Sequence, residues 1–135
     1  MRAAYFGVKE TYPELIDDLL STKPEMIAVD TETISLKDLS LVGIGIATSP
    51  HDAMYFPLLP EQSPWLEKVV SWLRDDRILK VYHNGLFDLD TFNKDERFLG
   101  VLDFPVIDTM IMAQLAGYPS KLTELAARCG TESQD

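Results

Sequence analysis

The chain has 135 residues, 46% of them hydrophobic and 25% charged, and a formal net charge of −10. That length supports one buried core and leaves no room for a second domain of ordinary size, so residues 1–135 are read as a single domain. The acidity excludes a protein that grips nucleic acid mainly by neutralising many phosphates, but it does not exclude one whose carboxylates hold cations that then meet the phosphate.

In chain order, residues 12–23 place Leu15, Ile16, Leu19 and Leu20 at helical spacing, with Pro13 suited to a first turn and Pro24 closing the segment. Met26-Ile27-Ala28-Val29 is a short apolar run of the kind that forms a buried strand, and it leads straight into Asp30-Thr31-Glu32-Thr33. Residues 39–48, with Gly43 and Gly45 among Leu, Val and Ile, and residues 53–59 flank the turn-like Ser49-Pro50-His51-Asp52 and predict a hairpin. A helix opens at Ser63 or Pro64 with Leu66, Val69, Val70 and Leu73 on one face, and a strand follows at 78–82. A helix over 87–92, a strand over 101–107, and helices from Asp108 and Ser120 complete the reading. Strands that pair antiparallel first and helix-to-strand crossovers afterwards place the fold in the α/β class.

No cysteine pair exists, since Cys129 stands alone, and His51 and His83 are too few for a zinc cluster. Met1 is not followed by a basic and then apolar leader, and charged residues interrupt every apolar run. We therefore expect a soluble, unexported, cytoplasmic chain without a membrane partner.

Asp30 and Glu32 stand two positions apart, so an extended backbone projects both from one face, where they can converge on a cation. Magnesium or manganese accepts such oxygen ligands, and two ions about 3.5–4 Å apart can activate a water and stabilise a phosphodiester's leaving oxygen. Alone, an Asp-x-Glu is more often a solvated turn after a strand. His83-Asn84-Gly85-Leu86-Phe87-Asp88 runs from a strand into a helix, where Asp88 can simply complement the helix dipole and Asn84 can simply cap it. Asp108 before Thr109-Met110 is best read as a cap.

Taken together these segments resemble a known set. Val29-Asp30-Thr31-Glu32-Thr33-Ile34-Ser35-Leu36 resembles the first motif of the DEDD (DnaQ-like) 3′→5′ exonucleases, in particular the proofreading domain of family A DNA polymerases, the bacterial DNA polymerase I type. His83-Asn84-x-x-Phe87-Asp88 looks like that family's second motif. Asp108-Thr109-Met110 with Gln114-Leu115, then Lys121-Leu122-x-x-Leu125-Ala126, resemble the stretches that come next, so the likeness runs in family order from about Met26 to about Gly130.

The resemblance implies a ribonuclease H-like mixed sheet, its first three strands antiparallel and the later ones parallel, flanked by helices. It implies a catalytic and metal set of Asp30, Glu32 and Asp88, with Asp30 bridging two Mg2+ or Mn2+ ions, Glu32 on the ion that activates water and Asp88 reaching the second ion through water. Thr31, Leu36 and Asn84 fall at substrate-binding positions, while Asp108 is structural and His83 supports from behind. The implied reaction is removal of nucleoside 5′-monophosphates from the 3′ end of single-stranded DNA, in proofreading for replication and repair. RNA in the manner of ribonuclease D is the alternative substrate, and a catalytically silent binding module the alternative role. The family's third motif, Tyr-x-x-x-Asp or His-x-x-x-Asp, finds no counterpart, because the residue four before Asp135 is Thr131. The domain is thus expected to be incomplete at its C-terminus, with an attached or separate polymerase or C-terminal segment as partner.

Overall fold

The alternation of burial along 26–33, exposed at even positions and buried at Ile27, Val29 and Thr31, is that of a strand with one covered face. In the computed structural model, which describes residues 2–5, 13–59, 63–101 and 103–130, this strand lies near the middle of a six-stranded sheet. The strands are β1 (Arg2–Tyr5), β2 (Met26–Thr33), β3 (Leu41–Ser49), β4 (Asp52–Pro57), β5 (Leu79–Tyr82) and β6 (Val106–Asp108), in the spatial order β1-β4-β3-β2-β5-β6. β2, β3 and β4 pair antiparallel, and β5 and β6 add parallel to β2, as the α/β reading expects.

Two strands differ from the sequence-based expectation. β1, which no periodicity announces, pairs parallel with β4 at the sheet edge; a four-residue strand is specified by its partner more than by its own pattern. The last strand is confined to Val106–Asp108, shorter than the predicted 101–107, while a 3₁₀ turn over Glu96–Phe98 precedes it.

The helices are α1 (Pro13–Leu20), α2 (Leu66–Leu73), α3 (Gly85–Asn93), α4 (Thr109–Ala116) and α5 (Leu122–Arg128). α1 stops short of the predicted Lys23 because the hydroxyls of Ser21 and Thr22 donate to the carbonyls of Asp18 and Leu19, competing for the last turn. Tyr12, included in the predicted helix, lies outside the described residues.

Ile16, Leu19 and Leu20 of α1, Val69, Trp72 and Leu73 of α2, and Phe92 of α3 pack with Ile27, Val29, Ile44, Ile46, Met54 and Phe56 from one face of the sheet into a single core. Each such side chain contributes about 1.5–3 kcal/mol on full burial. Lys80 of β5 is also buried on this side, its ammonium donating to the carbonyl of Asp75. Burial draws its pKa down, opposed by the charges of Asp75 and Asp76.

Among the described residues the opposite face is open. Ala28, Gly45, Ala47, Ala53 and Val81 floor a recess of about 340 Å³ that also meets Asp30 and Leu122. α4 buries only Ala113 and α5 buries nothing, leaving Ile111, Met112, Leu115 and Leu122 exposed.

Candidate active site

Period-two alternation puts Asp30 and Glu32 on this open face of β2 while Val29 and Thr31 turn into the core side. Their antiparallel partners on β3 are Gly45, opposite Asp30, and Gly43, opposite Glu32. No side chain therefore stands beside either carboxylate from that strand. One strand further, Tyr55 of β4 pairs with Gly45, and its ring leans over Gly43, where a Cβ would collide with Oη, Cζ and Cε2. Burial raises the pKa of the Tyr55 phenol, and the charges of Glu32 and then Asp30 raise it further.

Asp88 occupies the first turn of α3 and is 3% exposed. Its Oδ1 accepts from the backbone N–H of Thr31 at 3.1 Å and from the Thr31 hydroxyl at 2.5 Å. Burial pushes its pKa up to about 6; the Thr31 hydrogen bonds oppose that rise and the Asp30 charge adds to it. Thr31 was expected to bind substrate, and the structure gives its side chain another partner. An odd position on β2 turns inward, so Thr31 is 7% exposed and its hydroxyl holds Asp88.

Leu36 and Asn84, the other two expected substrate positions, are displayed. Leu36 is 88% exposed on the tip of a loop folded by Ser35, whose Oγ accepts from the N–H groups of Lys37 and Asp38. Leu36 is therefore not a core residue. Asn84 sits at the N-terminus of α3 in the left-handed region at φ 67°, and its side chain makes no capping hydrogen bond. The cap role belongs to Asp108, which accepts from Met110 at 2.9 Å and Ile111 at 3.4 Å at the head of α4, and from Asn84 at 3.0 Å and Gly85 at 2.7 Å at the head of α3. Burial raises the Asp108 pKa, but the four N–H groups outweigh it and leave the carboxyl below its usual range. His83 lines the recess beside Asp30. Its Nε2 donates to the Ser120 carbonyl at 2.6 Å, and Nδ1 meets the Thr109 hydroxyl at 2.9 Å.

A family model described as 3′-5′ exonuclease matches residues 7–131. The chain belongs to the 3′-5′ exonuclease family. Among curated relatives, ribonuclease D of Xanthomonas oryzae pv. oryzae is 36% identical over 110 residues, covering 79% of this chain and 29% of that protein. The structure of Escherichia coli RNase D, described as an exoribonuclease involved in structured RNA processing, matches with a TM-score of 0.69 and 24% identity, covering 99% of this chain and 35% of that one. Brucella melitensis NrnC with bound Mg2+ matches with a TM-score of 0.67 and 22% identity, covering 98% and 63%. This 3′-5′ exonuclease chain thus spans 29% of the ribonuclease D that it matches, and the ribonuclease H-like fold of the exonucleases is the one that its sheet adopts.

In an exonuclease of this family the donors would be all oxygen, which suits a hard divalent cation. Asp30 and Glu32 fit such an ion in kind, being exposed, on one face and bordered by glycine. They do not fit in number: among the described residues no three His, Cys, Asp or Glu side chains come together as an ion site. Asp88 stands behind the pair, with its Oδ1 bonded to Thr31 on the inward side of β2. Asp135 and Thr131, where the third motif was sought, lie outside the described residues. Sequence reading missed Tyr55 and the part played by Gly43, although a glycine inside a strand marks a close approach by another group and was a usable signal.

Proposed function

We propose that the chain forms the ion- and substrate-holding part of a divalent-metal-dependent 3′→5′ exonuclease that releases nucleoside 5′-monophosphates from single-stranded RNA. The observation carrying this reading is the exposed Asp30–Glu32 pair, placed opposite two glycines on an open sheet face with Asp88 directly behind it. The two carboxylates would hold Mg2+ or Mn2+, which when bound supplies charge for the phosphate and an activated water. Leu36 and Asn84, both displayed at the ends of elements flanking the pair, would hold the terminal nucleotides through apolar contact and amide hydrogen bonds. RNA is preferred because the matched relatives carry the names ribonuclease D and RNase D. DNA, favoured by the details of the first and later motifs, is the second reading.

The uncovered apolar face beside Asp30 supports a partner segment, from the same or another chain, that packs there and brings a further carboxylate. A polymerase is one such source.

The test uses 5′-labelled RNA and DNA oligonucleotides of one sequence, incubated with the full chain and Mg2+ or Mn2+. The expected outcome is a ladder shortened from the 3′ end, faster on RNA, abolished by EDTA and by Asp30→Ala with Glu32→Ala. Faster loss of DNA would move the assignment to the proofreading type. Two intact oligonucleotides at high protein concentration, together with measurable binding, would make the chain a silent module.

A further inference from the structure

Tyr55 lies outside every motif that drew attention to the site. Three strands nevertheless bring it there: β2 offers Glu32, β3 offers Gly43 in register with it, and β4 sends the Tyr55 ring across that glycine. Adjacent strands stand roughly 4.8 Å apart, so a hydroxyl above the partner of Glu32 is within the span of one bridging oxygen. Any side chain at residue 43 would occupy the volume of the phenol, which makes Gly43 a seat for it. The seat is specific, because a methyl at Gly45 would meet nothing nearer than ordinary contact, 3.9 Å from Asp30 Cβ. The hydroxyl makes no hydrogen bond among the described residues, and the ring is half-buried. A phenol is a good donor, and one seated beside a carboxylate pair is available to an incoming oxygen.

We propose that Tyr55 is a positioning residue of this site: its Oη donates a hydrogen bond to the oxygen, of water or of a phosphate, that is held at Glu32. The proposal rests on the nuclease reading above and adds a donor to a site otherwise described by acids alone. Gly43 is its structural counterpart, keeping the phenol at the height of Glu32.

Tyr55→Phe removes one atom and keeps the ring, and Gly43→Ala displaces the ring while keeping the hydroxyl. Both are compared with the unaltered chain in oligonucleotide shortening, in Mn2+ binding by calorimetry, in binding of adenosine 5′-monophosphate in the presence of Mn2+, and in thermal melting. For Tyr55→Phe we expect kcat to fall by about tenfold or more with KM, Mn2+ affinity and melting temperature nearly unchanged, and Gly43→Ala to lose as much turnover. If monophosphate binding also weakens, the oxygen is the phosphate's; if only turnover falls, it is the water's. Turnover of Tyr55→Phe within about twofold of the parent overturns the proposal, as does a loss traceable to lower Mn2+ affinity or melting temperature. If the parent binds Mn2+ and monophosphate but shortens neither oligonucleotide, the nuclease reading fails by itself. Tyr55 is then decided by binding, with unchanged monophosphate affinity in Tyr55→Phe overturning it. A parent that binds neither ligand overturns both.

Discussion

Asp88 and Thr31 form the tightest polar contact between the helices and the site strand. The carboxyl is carried into the protein by the first turn of α3, where burial would normally leave it neutral. Two hydrogen bonds to one oxygen hold it in place, and its pKa is still raised from 3.8 to about 6. A raised folded-state value means that neutral Asp88 stabilises the ion-free fold below pH about 4, and that this contribution is lost as pH rises through about 6. In EDTA, the melting temperature of the parent relative to Asp88→Asn should therefore decline between those pH values and level off above them. A flat difference would show that burial does not govern this carboxyl. The Asp30–Glu32 pair was legible in the sequence because period two needs only neighbours along the chain. The Thr31–Asp88 contact spans 57 positions and was not legible, because nothing near the threonine along the chain announces the acid that its hydroxyl holds.

At the scale of elements, one carboxylate joins two helices. Asp108 stands at the end of β6 and serves the first N–H groups of α4 and of α3 together, four donors that the helices cannot satisfy themselves. Capping of α4 was readable from Asp-Thr-Met, since a cap is a local pattern. The bonds to Asn84 and Gly85 were not, because they depend on β5 and β6 lying side by side in the sheet. Replacing Asp108 with Ala should cost about 2 kcal/mol, the upper end for a cap, because the N–H groups of both helices lose their acceptor. Asp108→Asn should lose less, since an amide oxygen also caps. Urea unfolding of the three proteins measures both differences. An Ala variant as stable as the parent would show that water replaces the carboxylate at both helix ends. The Tyr55 seat illustrates the same limit of sequence reading: glycines at 43 and 45 were visible, but which side chain crosses them is a matter of cross-strand register.

For the whole molecule, charge and surface set the terms of substrate binding. With a formal charge of −10, the chain has no electrostatic reserve for attracting a polyanion, and the recess beside Asp30 is floored by small apolar residues. Binding to an oligonucleotide should therefore depend on divalent ions and respond little to monovalent salt. In fluorescence anisotropy with Ca2+ present, raising NaCl from about 50 to 200 mM should weaken binding by no more than about threefold, far less than the loss of basic nucleic-acid binders. A steep salt slope would reveal a cationic surface and remove the ion-centred account. Among the described residues no helix is long and apolar enough to cross a membrane. The strand and helix patterns foresaw most of the sheet. The open face could not be foreseen, since it is defined by what packs against an element and not by the element's own residues.

The alternation along β2 also guards the fidelity of folding. Moving this strand by one position against β3 would turn Asp30 and Glu32 into the hydrocarbon interior and push Ile27, Val29 and Thr31 out to solvent. Each uncompensated carboxylate buried in that way costs several kcal/mol, far more than a slipped ladder of backbone hydrogen bonds can offset. Asp30 and Glu32 thus also act as alignment marks, and a lineage that lost both would lose a safeguard against misregistered β-structure.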